Sequence, residues 1–425
     1  MIKIFDKDFD INKILSREIQ SYGEYEESVR QIVADVMTGG DAAVKKYTRK
    51  FDGVSVDGLA VSGAEIDEAF ASVSPRFLEV VKKSAENIAE FHSKQKKSGF
   101  EINRDGVTLG QKYTAVEKAG LYVPGGTASY PSTVLMNAVP AKIAGVGEII
   151  MCTPPSANGK VRAEILAAAK IAGVDRIYKC GGAQAIAAMA YGTESIPKVY
   201  KIVGPGNIFV ALAKKLVFGT VSIDMIAGPS EILVVADGKA DARHVAADML
   251  SQAEHDKLAS AVLVTDSAAL AKAVAAEIDR QLETLPRREI ASASIENNGK
   301  IIVTDSIERA VEVANAIAPE HLEMCVENPR AWLDKIKNAG SVFLGGYTPE
   351  AMGDYYAGPN HTLPTGGSAK FSSPLSVDDF LKKTQYIMYS AEALEKAAAD
   401  VEYFAESEGL DGHARSVKIR FGGAK

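Results

Sequence analysis

The chain has 425 residues, 47% of them hydrophobic and 24% charged, with a formal net charge of −7. This is the balance of a folded globular protein large enough for more than one core. The absence of a Lys/Arg-rich block argues against nucleic acid or an anionic membrane as the main partner, and no apolar run approaches the roughly 18 residues that span a bilayer.

The N-terminus, Met-Ile-Lys-Ile-Phe-Asp-Lys-Asp, has no apolar h-region, so a secretory signal is not expected. Cys152, Cys180 and Cys325 are widely spaced and form no Cys-x-x-Cys. That fits a reducing, cytoplasmic setting and excludes a cysteine-rich structural zinc site, so any metal must use imidazole, carboxylate or amide ligands.

Residues 1–20 read as an arm. Val29, Ile32, Val33 and Val36 mark an amphipathic helix, and Phe77, Val80, Val81, Ala85, Ile88 and Ala89 mark a longer one. Between Phe100 and Tyr122 the pattern changes to strands, with Asp105-Gly106 as a hairpin signal. From about Gly120 to Ser230 a short apolar strand, a glycine turn and a helix recur, with strands expected at Leu121–Val123, Glu148–Cys152, Arg176–Lys179 and Val199–Val203. A second series has strands expected at Glu231–Ala236, Ala261–Thr265, Lys300–Thr304 and Ser341–Leu344. Strands alternating with helices imply parallel sheets covered on both faces, hence an α/β protein with two sandwiches.

The expected division is an arm at 1–20, a discontinuous α/β domain at 21–119 and 231–375, an inserted α/β domain at 120–230, and a helical tail at 376–425. Gly345 to Pro374 reads as a loop dense in Gly, Pro, Thr and Ser. In the tail, Ser376-Val377-Asp378-Asp379 reads as a helix-capping signal, and Leu394, Ala398, Val401 and Ala405 form one apolar stripe. Such a stripe must bury itself, and a second subunit is one candidate cover.

Chemistry concentrates at a few points. In Ser251-Gln252-Ala253-Glu254-His255-Asp256, Gln252 and His255 stand three apart and can aim an amide oxygen and an imidazole at one point. Taken alone, such a pair is a capped helix end with a surface histidine. Of the six histidines, His92 and His244 sit mid-helix and are expected to be solvated. Glu320-His321, Asp354 with His361, and Glu408 with His413 each place an acid near an imidazole at an element end or in a loop, where sites tend to be built. Glu320 and His321 could share two proton-transfer tasks. Gln252, His255, Asp354 and His413 together would make an N/O ligand set suited to zinc.

Three strand-to-helix turns carry glycines: Tyr122-Val123-Pro124-Gly125-Gly126, Gly181-Gly182-Ala183-Gln184 and Gly204-Pro205-Gly206-Asn207. At the carboxyl edge of a parallel sheet they could hold a pyrophosphate, although none completes Gly-x-Gly-x-x-Gly. Three other readings stand beside this one. They are a thiohemiacetal mechanism on Cys152 or Cys180, a zinc hydrolase using Glu320 and His321 on water, and a two-lobed binding protein without catalysis.

The sequence resembles the histidinol dehydrogenase family along nearly its whole length. Gly120-Leu-Tyr-Val-Pro-Gly-Gly126, Gly181-Gly-Ala-Gln-Ala-Ile-Ala187, Gly192-Thr-Glu-Ser195, Gly204-Pro-Gly-Asn207, Ala227-Gly-Pro-Ser-Glu231, Gln252-Ala-Glu-His255, Pro319-Glu-His321 and Asp354 through Pro364 recur in family order. The resemblance implies two Rossmann-like sandwiches and a zinc enzyme that oxidises L-histidinol to L-histidine by two hydride transfers to NAD. It places zinc on Gln252, His255, Asp354 and His413, and NAD contacts on Tyr122, Gln184 and Asn207. Substrate contacts fall on Ser230, Gln252, His255, Glu320, His321, Asp354, His361, Glu408 and His413. His321 is implied as the base, with Glu320 activating water for the second oxidation. A homodimer is also implied, with the tail bringing Glu408 and His413 to the partner's site.

Overall fold

The computed structural model describes residues 2–9, 23–125 and 129–422, so most of the expected arm and Gly126 of the first glycine turn lie outside it. The first elements are β1 (Lys3–Phe5), α1 (Gly23–Asp52), α2 (Gly63–Ser72), α3 (Pro75–Ser93), β2 (Phe100–Arg104) and β3 (Val107–Ala115). Then come β4 (Lys118–Tyr122), α4 (Pro131–Ala144), β5 (Glu148–Thr153), α5 (Ala163–Ala172), β6 (Arg176–Lys179), α6 (Gly182–Tyr191), β7 (Lys201–Val203), α7 (Ile208–Val217) and β8 (Ser222–Ile223). The second α/β series is β9 (Glu231–Ala236), α8 (Ala242–Ala253), β10 (Ser260–Thr265), α9 (Ala268–Leu282), α10 (Arg288–Asn297), β11 (Lys300–Val303), α11 (Ile307–Ile317), β12 (His321–Cys325) and β13 (Ser341–Leu344). It is followed by α12 (Glu350–Tyr355), β14 (Leu381–Tyr389), α13 (Ala391–Ser407) and α14 (Asp411–Lys418).

Two parallel sheets result, as expected for an α/β protein of Rossmann-like form. One has five strands in the order β6-β5-β4-β7-β8, the other six in the order β1-β11-β10-β9-β12-β13. In each, the chain winds outward from a central strand, β4 or β9, and later returns to that strand's other side as β7 or β12. Their strands are buried on both faces, which is why they read as continuous apolar runs such as Glu231–Ala236.

The chain forms two compact units, residues 1–95 with 116–380 and residues 96–115 with 381–425. In the first unit, Val29, Ile32, Val33 and Val36 of α1 pack with Ile186 and Tyr178 of the five-stranded sheet and its helices. Val81 and Ile88 of α3 pack with Leu135 and Val139 of α4. Segment 21–119, grouped from its sequence with 231–375, is thus shared between the five-stranded sheet and the second unit. His92, expected to be solvated, is fully buried, because it continues the inward stripe of Val81, Ser84 and Ile88, and its Nδ1 meets Gln95 Oε1 at 2.7 Å.

The second unit is an antiparallel sheet in the order β14-β3-β2, followed by α13 and α14. Asp105-Gly106 makes the β2–β3 turn, with Gly106 at φ +70°. The tail is not wholly helical. Ser376 is capped by Asp379, whose Oδ2 accepts its N–H at 2.8 Å, but this closes only a 3-10 turn, and Leu381–Tyr389 then runs as a strand along β3. Thr384, Tyr386, Ile387 and Tyr389 are β-formers, and strand pairing prevails over the cap signal. Among the described residues no helix is long and apolar enough to cross a membrane.

Candidate active site

The acid and imidazole groups gather at the amino edge of the six-stranded sheet. Strand β9 begins at Glu231, directly after Ser230, and β12 begins at His321, directly after Glu320, with His321 in register with Ile232. The Glu231 N–H donates to Glu320 Oε2 at 2.9 Å, and the Glu231 carbonyl lies 3.0 Å from His321 Nδ1. A carbonyl can only accept, so Nδ1 carries the proton and Nε2 is the working nitrogen. Among the described residues that Nε2 is buried without a hydrogen-bond partner, and it stands 3.8 Å from both Glu350 Oε1 and Asp354 Oδ1.

Glu350 and Asp354 come from α12, a six-residue helix inside the segment expected to be a loop. They stand four apart and therefore share one face. The helix is too short to show periodicity and contains Gly353, where an added Cβ would lie 2.7 Å from the Phe343 ring. Behind it, the Glu350 N–H donates to Glu323 Oε1 at 2.8 Å. Gln252, in the last turn of α8, sets its side-chain amide against the Glu350 carboxylate, and with the amide nitrogen turned toward that carboxylate it donates to Glu350 Oε2 at 2.7 Å and accepts from the Glu231 N–H at 3.3 Å. His255 follows one residue past the helix cap, its N–H donating to the Gln252 carbonyl at 3.2 Å.

Burial and mutual charge set the protonation of this cluster. Burial pushes Glu320 up to about 8 and Glu350 up to about 7, with His321 pulling both back. Burial alone would lower His321, but the Glu350, Glu320 and Asp354 carboxylates overcome it and hold the imidazole well above its ordinary value. Burial would raise Asp354, yet His321, His361 and His255 hold it below the usual carboxylate range. Desolvation lowers His255 against the pull of Asp354 and Glu254, and burial lowers His361.

His361 is tied to the same loop, its Nδ1 lying 3.0 Å from the Asp354 carbonyl and its Nε2 3.4 Å from Thr133 Oγ1 of α4. The loop is fixed to the helices over the five-stranded sheet. Ser84 Oγ donates to the Tyr355 carbonyl at 2.6 Å, Asn87 Nδ2 to the Tyr356 carbonyl at 2.8 Å, and Asn360 Nδ2 to the Met136 carbonyl at 2.6 Å.

Of the residues singled out in the sequence, Gln252, Glu320, His321, Asp354 and His361 thus meet in this cluster. Ser230 and His255 stand at the same sheet edge, where the Ser230 carbonyl accepts the Ser260 N–H at 3.0 Å. Glu408 and His413 lie in the second unit, where they border a surface hollow with Val401 and Phe404 between α13 and α14. Glu350, Glu323 and the Glu231 backbone were not found from the sequence. Only Pro349-Glu350, a helix-start signal, hinted at Glu350. Among the described residues, His321, Glu350 and Asp354 are the group whose ligand atoms converge within 4.8 Å, as a metal site would require. That group shares only Asp354 with the set the resemblance implied.

At the carboxyl edge of the five-stranded sheet lies a cleft of about 540 Å³ bordered by Tyr122, Gly125, Pro154, Gly182, Gln184 and Asn207. These residues follow the ends of β4, β5, β6 and β7. The Tyr122 hydroxyl accepts the Gly182 N–H at 3.1 Å, and Asn207 Oδ1 caps α7 through the Phe209 N–H at 3.1 Å. Close backbone approach explains the glycines. Gly204 has φ +118°, and a Cβ there would sit 2.1 Å from the Tyr122 carbonyl oxygen. A buried ion pair, Lys214 with Asp224, grips this glycine from both sides. Lys214 Nζ donates to the Gly204 carbonyl at 3.0 Å and the Gly204 N–H donates to Asp224 Oδ2 at 2.8 Å.

A glycine-turned cleft on one sheet and a buried acid–imidazole cluster on another define an α/β enzyme of the Rossmann-like class. Residues 15–421 match the sequence profile of histidinol dehydrogenase. The chain is 55% identical to the histidinol dehydrogenase of Bacillus subtilis over 398 residues, covering 93% of each chain. With that of Geobacter sulfurreducens the identity is 52% over 425 residues, covering 99% of each. The crystal structure of histidinol dehydrogenase from Elizabethkingia anophelis superposes with a TM-score of 0.94 at 39% identity, covering 99% of this chain and 98% of that one. The chain belongs to the histidinol dehydrogenase family.

Proposed function

We propose that the protein catalyses a step of L-histidine biosynthesis in the cytoplasm, the four-electron oxidation of L-histidinol through L-histidinaldehyde to L-histidine with two NAD. The observation that carries this reading is His321 Nε2, buried and unpartnered between two carboxylates while Nδ1 is locked on a carbonyl. Hydride cannot leave an alcohol carbon unless the hydroxyl proton is also taken; Nε2 of the neutral imidazole is positioned to take it, and because the neighbouring carboxylates favour the imidazolium, His321 must first give up its own proton before it acts as a base. The imidazolium so formed is stabilised by Glu350, Glu320 and Asp354. In the second oxidation Glu320 deprotonates the water that hydrates the aldehyde, and His321 again removes a hydroxyl proton. With its carboxyl pushed to about 8, Glu320 can hold or release a proton near neutral pH.

The chemistry of the donor set fits a divalent metal, since Asp354 belongs to a group of converging ligand atoms and the imidazole and amide side chains of His255 and Gln252 stand at the same sheet edge. Gln252, His255, Asp354 and the partner's copy of the tail histidine at 413 would hold a zinc ion, which supplies a template for the substrate's nitrogens. NAD occupies the cleft bordered by Tyr122, Gln184 and Asn207, and Ser230, His361 and Glu408 complete the substrate's surroundings. The two bodies we assign to substrate and nucleotide are 231–375 and 120–230, with 376–425 as the dimer tail.

The thiohemiacetal alternative loses support. Cys152 and Cys180 are fully buried, and the contact with Cys152 together with burial pushes the Cys180 thiol well above its ordinary value. The test is to supply L-histidinol and NAD to the purified, metal-analysed protein and count products. Two NADH per histidine is expected, and no NAD reduction would favour a hydrolase instead. Co-expressed His413→Ala and His361→Ala subunits should regain part of the lost activity as mixed dimers, and no recovery would refute sites shared between subunits.

A further inference from the structure

Resting on the reading of the 540 Å³ cleft as the NAD site, we propose that the Asp52 carboxylate accepts the sugar hydroxyls of the dinucleotide and thereby selects NAD over NADP. Asp52 borders that cleft beside Phe51, whose ring stacks on Tyr47 with centroids 5.7 Å apart. It is the last residue of α1, where the negative end of the helix dipole disfavours a carboxylate and where Arg49 and Lys50 are the residues the dipole favours. Among the described residues Asp52 Oδ2 is buried and meets no donor, and burial raises the carboxyl to about 6.

An unpartnered acid at a helix C-terminus is destabilising on every local count, so its place here calls for a partner from outside the fold. The same cleft shows a second acceptor, Gln184 Oε1, buried and without a donor among the described residues. An occupant that satisfies both must bring hydrogen-bond donors to two points of one wall. A nucleoside sugar with its vicinal diol does this at a carboxylate, and a carboxamide or amino group does it at an amide oxygen. Among the described residues the charged side chains of the lining are Asp52 and Arg162. Arg162 carries the positive charge that suits bridging phosphates, and Asp52 carries the acceptor that suits the sugar. With a 2′-phosphate in place of the hydroxyl, a dianion would face the carboxylate and one donor would be lost.

The experiment compares Asp52→Asn and Asp52→Ala with the parent enzyme, measuring KM for NAD, NADP and L-histidinol, bound zinc and melting temperature. For both variants KM for NAD should rise about tenfold, the loss of one hydrogen bond to a charged acceptor, and the preference for NAD over NADP should fall by at least as much. KM for histidinol and zinc content should stay unchanged. Without nucleotide, Asp52→Asn should melt higher than the parent, which separates a binding role from a structural one. An unchanged NAD/NADP preference in both variants overturns the proposal. Gln184→Ala and Asn207→Ala distinguish the two levels of the argument. If they raise KM for NAD while the Asp52 variants do not, only the role of Asp52 fails; if they too leave it unchanged, the cleft is not the NAD site and both readings fail.

Discussion

The two parallel sheets put their chemistry at the same topological place but at opposite ends. In the five-stranded sheet the cleft opens past the carboxyl ends of β4 and β7, and in the six-stranded sheet the acid–imidazole cluster sits at the amino ends of β9 and β12. Both are the strand pairs where the order of winding reverses; the cleft lies at the carboxyl end, the usual crevice in open α/β sheets, whereas the cluster lies at the opposite end. The ends differ in their fixed partial charges. A carboxyl edge faces helix N-termini, whose free N–H groups suit phosphates. An amino edge faces helix C-termini, here those of α8 and α11, whose carbonyl ends favour cations. On the reading proposed above, one edge suits an anionic dinucleotide and the other an imidazolium and a divalent ion.

The comparison can be broken first at its most sensitive point. His321→Asn should lower kcat on the order of a thousandfold while zinc stays bound, and undiminished turnover would remove the amino edge from the chemistry. Metal content comes next. His255→Ala should lose most of its zinc by metal analysis after dialysis, whereas Glu350→Gln should keep it; the reverse would place the ion on His321, Glu350 and Asp354. Glu320→Gln should slow histidinaldehyde oxidation about tenfold more than histidinol oxidation in single-turnover assays, and equal losses would contradict its work on water. On the other edge, Lys214→Met leaves Asp224 buried and unpaired. Breaking such a pair typically costs about 3–5 kcal/mol, so the melting temperature should fall and KM for NAD should rise several-fold, with KM for histidinol unmoved.

The carboxyl edge was largely legible in the sequence and the amino edge only in part, for a physical reason. Turns such as Gly204-Pro205-Gly206-Asn207 are local, and the glycines announce a backbone that must approach closely or take positive φ. The parallel strands were legible because burial on both faces makes them continuous apolar runs. The cluster depends instead on strand register. Nothing local in Glu320-His321 says that Glu231 will offer it an N–H and a carbonyl 90 residues away. Glu350 was hidden because α12 is a single short turn of helix in glycine-rich surroundings. In β14 a local capping pattern pointed to helix, and pairing with β3 along nine residues prevailed.

The stapling of the 354–361 loop to α3 and α4 bears on how Asp354 and His361 are held. Asp354 and His361 originate from the six-stranded body, yet three side-chain hydrogen bonds fasten their loop to the helices that roof the other sheet. On the reading proposed above, a shift of α3 or α4 would therefore be felt at Asp354 and His361. The placement of the two side chains is thus set from both halves of the unit that carries the two parallel sheets.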